Sequence, residues 1–179
     1  MNTSHLLAAA AAIGLVAAAT SANAQATATG TGTASVQILK ALSVSSHHDL
    51  PFGKVAISSD TAGTVAVSEA GARTSTGGVA LVGSNSITAA DFTFNGEPNT
   101  AVTVSYSNSG GAANAGGTYT LSDSASHNVT LTISSTKAGS QTLDSSGNIT
   151  VPIAGSVAVP AAQAGGSYSG SYYVTVAYN

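Results

Sequence analysis

The densest group of side chains able to bind a metal or move a proton is His47-His48-Asp49. Two imidazoles and a carboxylate are metal ligands in kind. Neighbours in an extended strand, however, point to opposite faces, and no further His or acid lies close in sequence. Placed just before Leu50-Pro51-Phe52-Gly53, the trio reads as a solvated turn. His127 follows Asp123 by four residues in a Ser-rich chain, so a Ser-His-Asp set can be drawn. The strand-turn-helix elbow that exposes such a serine is missing. Gly166-Ser167-Tyr168-Ser169-Gly170 meets the spacing only loosely and leads into a strand. The 7 Asp and Glu residues are spread singly and give no obvious pair for glycoside chemistry. Thr76-Gly77-Gly78 lacks the Lys and helix of a phosphate loop. Glu97 beside Pro98 reads as hairpin geometry, and Glu69 with Arg73 as a surface pair of little worth. Tyr172 and Tyr173 could together offer a sugar platform, but only one of two strand neighbours faces a core. We expect a non-enzyme, with no catalytic residues, metal site, cofactor or small-molecule substrate.

Composition narrows the field further. The chain has 179 residues, of which 4 are Lys or Arg and 7 Asp or Glu, a formal charge of −3 and a charged fraction of 6%. Four basic residues leave no electrostatic footprint for a polyanion, so nucleic acid is not an expected partner. With no Cys there is no disulfide framework, thiolate site or cysteine nucleophile. An apolar fraction of 43% is too high for the usual disordered composition.

The elements that must carry any site follow from period. Val65 and Val67 alternate with Thr64, Ala66 and Ser68; Phe92 and Phe94 flank Thr93. Val102, Val104 and Tyr106 share one parity, as do Val129, Leu131 and Ile133, and Ile149, Val151 and Ile153. The last such run is Tyr172, Val174, Val176 and Tyr178. Apolar residues on one parity with Thr and Ser on the other predict half-buried antiparallel strands. Turn chemistry separates them at Ser58-Ser59-Asp60, Thr76-Gly77-Gly78, Asn108 to Gly117, Asp144 to Gly147 and Ala164-Gly165-Gly166. No sustained helical period and no fixed repeat occurs, so the expectation is a β-sandwich or barrel.

The N-terminal residues read differently. Leu6 to Ala19 is an uncharged apolar run of 14, followed by Ala22-Asn23-Ala24, which fits a small-x-small cleavage site. We expect residues 1–24 to be a signal peptide with its signal helix, and the protein to be exported. The following segment, Gln25 to Ala34, alternates strictly, with only Ala26, Ala28, Gly30, Gly32 and Ala34 on its apolar parity. It can extend but has little with which to build a core.

These ends and interior stretches carry a resemblance. Tyr178 is penultimate and Gly166 is fourteenth from the last residue given, with an alternating strand between them. This resembles the C-terminal pattern of chaperone–usher pilin subunits. Leu50-Pro51-Phe52-Gly53-Lys54-Val55, Ala72-Arg73-Thr74-Ser75-Thr76-Gly77-Gly78-Val79 and Phe92-Thr93-Phe94-Asn95-Gly96-Glu97-Pro98-Asn99 resemble a bacterial family of Ala/Gly/Thr-rich secreted domains. That family has no assigned function and is itself similar to spore-coat-protein-U-like pilins. The resemblance implies an incomplete immunoglobulin-like antiparallel β-sandwich over residues 35–179, lacking one strand. A periplasmic chaperone would cover the gap first, engaging the C-terminal strand through Gly166, Tyr172, Val174, Val176 and Tyr178. An outer-membrane usher would then exchange it for the extension 25–34 of another subunit, building a fibre at the cell surface. By the same analogy Val36 to Leu42 belongs to the subunit's own first strand.

The donor face of Ala26, Ala28, Gly30, Gly32 and Ala34 gains little from burial, since a methyl contributes under about 1 kcal/mol. Either the groove is shallow and ladder hydrogen bonds, each net roughly 0.5–1.5 kcal/mol, supply the rest, which is the reading we favour, or Val36 and Ile38 also insert. The reading from another class is a monomeric secreted sandwich that binds a glycan or cell surface through Tyr172/Tyr173 or the loop Asn108 to Gly117.

Overall fold

Alternation decides which side of each strand is buried. In the computed structural model, which describes residues 27–84, 87–107 and 117–179, Val129, Leu131 and Ile133 are buried while Asn128, Thr130, Thr132 and Ser134 between them are exposed. The same rule places Val102, Val104 and Tyr106 inside, and Ile149, Val151 and Ile153. The expected signal helix, together with Gln25 and Ala26, lies outside the described residues, as does the loop 108–116.

The chain divides into two units, one ending at Val36 and the other spanning Gln37–Asn179. In the first, Thr27 to Val36 is exposed and forms neither helix nor strand. The second is all-β and antiparallel. Its strands are β1 (Ser43–His48), β2 (Lys54–Ile57), β3 (Gly63–Val67), β4 (Arg73–Gly77), β5 (Val79–Val82) and β6 (Ala90–Asn95). They continue with β7 (Ala101–Ser107), β8 (Gly117–Ser122), β9 (Asn128–Ser134), β10 (Gly139–Thr142), β11 (Asn148–Val159) and β12 (Tyr173–Tyr178).

The largest sheet runs β1-β6-β11-β3-β4, with β9 on β11 and β8 on β9; the smaller ones are β10-β7-β12 and β2-β5. The 12-residue β11 is the spine. Its first half pairs with β6, from Asn148 opposite Asn95 to Ile153 opposite Ala90. Its second half pairs with both β3 and β9. Pro152, which has no N–H to give, falls in the half that makes a single ladder. The β-sandwich core lies between the sheets, with Val102, Tyr106, Val151 and Ile153 fully enclosed.

Two expectations about the first strand change. Val36 to Leu42 is not a strand; the ladder begins at Ser43. His47 and His48 do not form a turn but end β1, opposite Phe92 and Asp91. β1 has every residue exposed and no apolar parity, so its conformation is imposed by the β6 backbone and not by local preference.

Candidate functional site

Between β2 and the chain leading into β12 the sandwich opens. An apolar cleft of ≈ 850 Å³ lies there, walled by Leu50 to Val55 and Ile57 on one side and by Gln163 to Gly170 and Tyr172 on the other. Its floor is the inner face of the large sheet: Val65 of β3, Leu121 of β8, Val129 and Leu131 of β9, and Val157 and Val159 of β11. Among the described ladders β2 pairs only with β5, and β12 only with β7. Each strand therefore has one edge without a strand partner.

The β2 wall is built from the two motifs Leu50 to Val55 and Ala72 to Val79. Arg73 is only 5% exposed, so the expected surface pair with Glu69 does not form. Its guanidinium donates from Nη1 to Ser84 O at 2.6 Å and from Nη2 to Lys54 O at 2.9 Å. Gly53, at φ 68°, lies flat against it; a Cβ there would sit 3.0 Å from Cζ and Nη1. Glu69 instead accepts hydrogen bonds from the Thr136 N–H and hydroxyl. Gly155 of β11 makes room for the same wall, because a Cβ would lie 2.7 Å from Leu50 Cδ2 and 3.1 Å from Phe52 Cζ. Charge and spacing alone gave no sign that Arg73 is internal.

On the β12 side, Val176 is buried and Tyr172, Val174 and Tyr178 are half-buried, whereas Tyr173 is 46% exposed. The two tyrosines thus do not share a platform. The Tyr172 ring meets Phe92 edge-on at 6.0 Å and Tyr119 at 6.2 Å. Its hydroxyl is buried without a hydrogen-bond partner. Burial, and then the nearby Asp49 carboxylate, push the phenol up to about 12. At the other end of β12 the Tyr178 hydroxyl accepts from the Glu97 N–H at 2.6 Å and donates to Lys40 O at 2.6 Å. The Lys40 N–H in turn donates to Glu97 Oε2 at 3.0 Å. The penultimate side chain is therefore a tie holding Lys40 against the β6–β7 connection. Gly166 is exposed in the cleft wall, and a Cβ on it would lie 3.1 Å from Asp123 Oδ2.

The other candidates fall into structural places. His47 stacks on Phe92 at 5.7 Å, while the His48 ring nitrogen lies 3.0 Å from Asp91 Oδ1. Among the described residues no group of three or more His, Cys, Asp or Glu could hold a metal ion. Asp123 closes the β8–β9 turn: Oδ1 accepts the His127 and Ala125 N–H groups at 2.8 and 2.9 Å, and the His127 ring lies 2.8 Å from Oδ2. The side-chain bond with His127 is the largest influence lowering the Asp123 carboxyl below its ordinary value. Of the expected donor residues, Ala28, Gly30, Gly32 and Ala34 are exposed in the irregular segment, and Ala26 lies outside the described residues.

The class defined by these features is an antiparallel β-sandwich with one apolar cleft beside its core. Residues 42–178 match the family model described as a domain of unknown function, DUF4402. The chain belongs to that family. No curated protein and no solved structure matches it.

Proposed function

We propose that this protein is an exported structural subunit that polymerises by strand addition. The extension of one copy fills the cleft of the next, forming a fibre at the cell surface. The observation that carries the reading is the cleft between β2 and the chain leading into β12, floored by core residues and walled by β2, which among the described ladders lacks a strand partner on one side. An exposed sheet edge is an aggregation hazard that proteins normally block, and an added strand would both pair its backbone and fill the apolar cleft. Supply and demand match within one chain. Thr27 to Ala34 is extended in propensity, uncharged, free of Pro and exposed. Ten residues from Gln25 to Ala34 reach about 33 Å as a strand, the length of a sandwich.

An open cleft of this kind calls for a periplasmic chaperone during export and an outer-membrane usher for the exchange. The low charge supports the same reading, since Thr, Ser and Gly cover a surface made for contact with other subunits. A glycan platform gains nothing from Tyr172, whose hydroxyl is buried, and Tyr173 points the other way.

The test is deletion of Gln25 to Ala34. The shortened subunit should remain folded and monomeric by size-exclusion chromatography, while the chain carrying the segment forms polymers. A monomer in both cases overturns the proposal.

A further inference from the structure

We infer that the side chains which anchor one copy in the cleft of the next are Val36 and Ile38, beyond the Ala/Gly stretch. This inference rests on the strand-addition reading and names the contacts that drive it. Val36 and Ile38 are 84% and 85% exposed, the most exposed large apolar side chains described. Neither belongs to a strand, since the subunit's first ladder starts at Ser43. Both continue the parity of Ala28, Gly30, Gly32 and Ala34, so a strand drawn through the whole segment presents all six on one face.

Volume favours these two residues. The cleft is ≈ 850 Å³ and floored by Leu121, Leu131, Val157 and Val159. Methyl groups and glycines alone leave such a space mostly empty, and unfilled apolar volume is costly. A buried Val or Ile contributes roughly two to four times what a single methyl does. The occupant is another copy of this chain, because the segment is fixed at its far end. Lys40 is held by Tyr178 and Glu97. Only Leu39 separates that anchor from Ile38, a reach of about 7 Å of strand. Neighbouring subunits must then be in direct contact, with the cleft of one abutting the Lys40–Glu97 corner of the other.

The chain has no Cys, so engineered thiols report without background. One full-length copy carries Ile38→Cys and a second carries Val55→Cys in the β2 wall. After mixing, assembly and mild oxidation, a covalent heterodimer should form. A matched pair with Ala28→Cys in place of Ile38→Cys should give at least about fivefold less product with the same wall position. A second variant, Val36→Ser with Ile38→Ser, should lower the polymer fraction at least about tenfold while the subunit's unfolding midpoint stays unchanged. Polymers that form normally with this double variant, with cross-links from Ala28→Cys only, overturn the anchor assignment and leave strand addition standing. Absence of every cross-link together with a monomeric parent chain overturns both.

Discussion

Replacing Arg73 with Ala removes two hydrogen bonds from a buried guanidinium, to Ser84 O at 2.6 Å and Lys54 O at 2.9 Å. Bonds from a charged donor are worth roughly 1.5–3 kcal/mol each. Both acceptors sit on exposed residues that water can reach, which sets the pair near the low end, about 3 kcal/mol. Lost packing of the aliphatic stem adds about 1 kcal/mol. A total near 4 kcal/mol is a large share of a typical domain's stability, roughly 5–15 kcal/mol. With a urea slope of about 2 kcal/mol/M, the midpoint should fall by about 2 M. Arg73→Lys keeps the charge but not the planar fork, and should lose about half as much. The diagnostic experiment is a double-mutant cycle with Gly53→Ala. In the parent that change costs about 1–2 kcal/mol for the left-handed backbone, plus a further cost of about 1 kcal/mol for a Cβ pressed 3.0 Å from the guanidinium. With Ala at 73 the steric part vanishes, so the two changes should couple by about 1 kcal/mol. Additivity within about 0.3 kcal/mol, or an Arg73→Ala cost below about 1 kcal/mol, refutes the picture of Arg73 as the clamp of the β2 wall.

Tyr178→Phe removes the hydroxyl that joins Lys40 O to the Glu97 N–H, and should cost about 1–2 kcal/mol. Its signature is faster amide exchange at Lys40 and Glu97 with β7 protection unchanged; unchanged exchange at both refutes the tie. Tyr172→Phe should be neutral or slightly stabilising at pH 7, because its buried hydroxyl has no partner to lose. The folded phenol titrates near 12, above its ordinary 10.0, so its contribution is complete below pH 10 and is lost as pH rises toward 12. Alkaline denaturation followed by circular dichroism should therefore be shallower in the Phe variant over that range, and an identical profile contradicts the assignment.

The strands that carry the core were legible because their side chains alternate against a fixed inside and outside. Val102/Val104/Tyr106 and Ile149/Val151/Ile153 could be placed without knowing their neighbours, and so could the inward parity of Tyr172 to Tyr178. The turn at Asp144 to Gly147 was equally readable, since Asp144 Oδ1 accepts the Ser146 and Asn148 N–H groups. What could not be read depends on partners far along the chain. β1 has no apolar parity and exists because β6 offers a free edge, so nothing local marks it, and family analogy alone put the first strand at Val36 to Leu42. Arg73 looked like a surface residue because only the fold lays Gly53 and the β2 backbone over it. The cleft is invisible in sequence for the same reason. Leu121, Val129, Val157 and Val159 are buried like the rest of the core, and only the fold shows that they also floor a cleft.

The central claim is that the cleft takes an extended segment of this same sequence. The most direct measurement is to refold the subunit lacking residues 25–38 with a synthetic peptide of Gln25 to Ile38 and to record its urea midpoint against peptide concentration. Strand addition predicts a saturable rise in the midpoint, smaller for a peptide carrying Val36→Ser and Ile38→Ser. A midpoint that stays where it is without peptide, up to millimolar concentration, contradicts it.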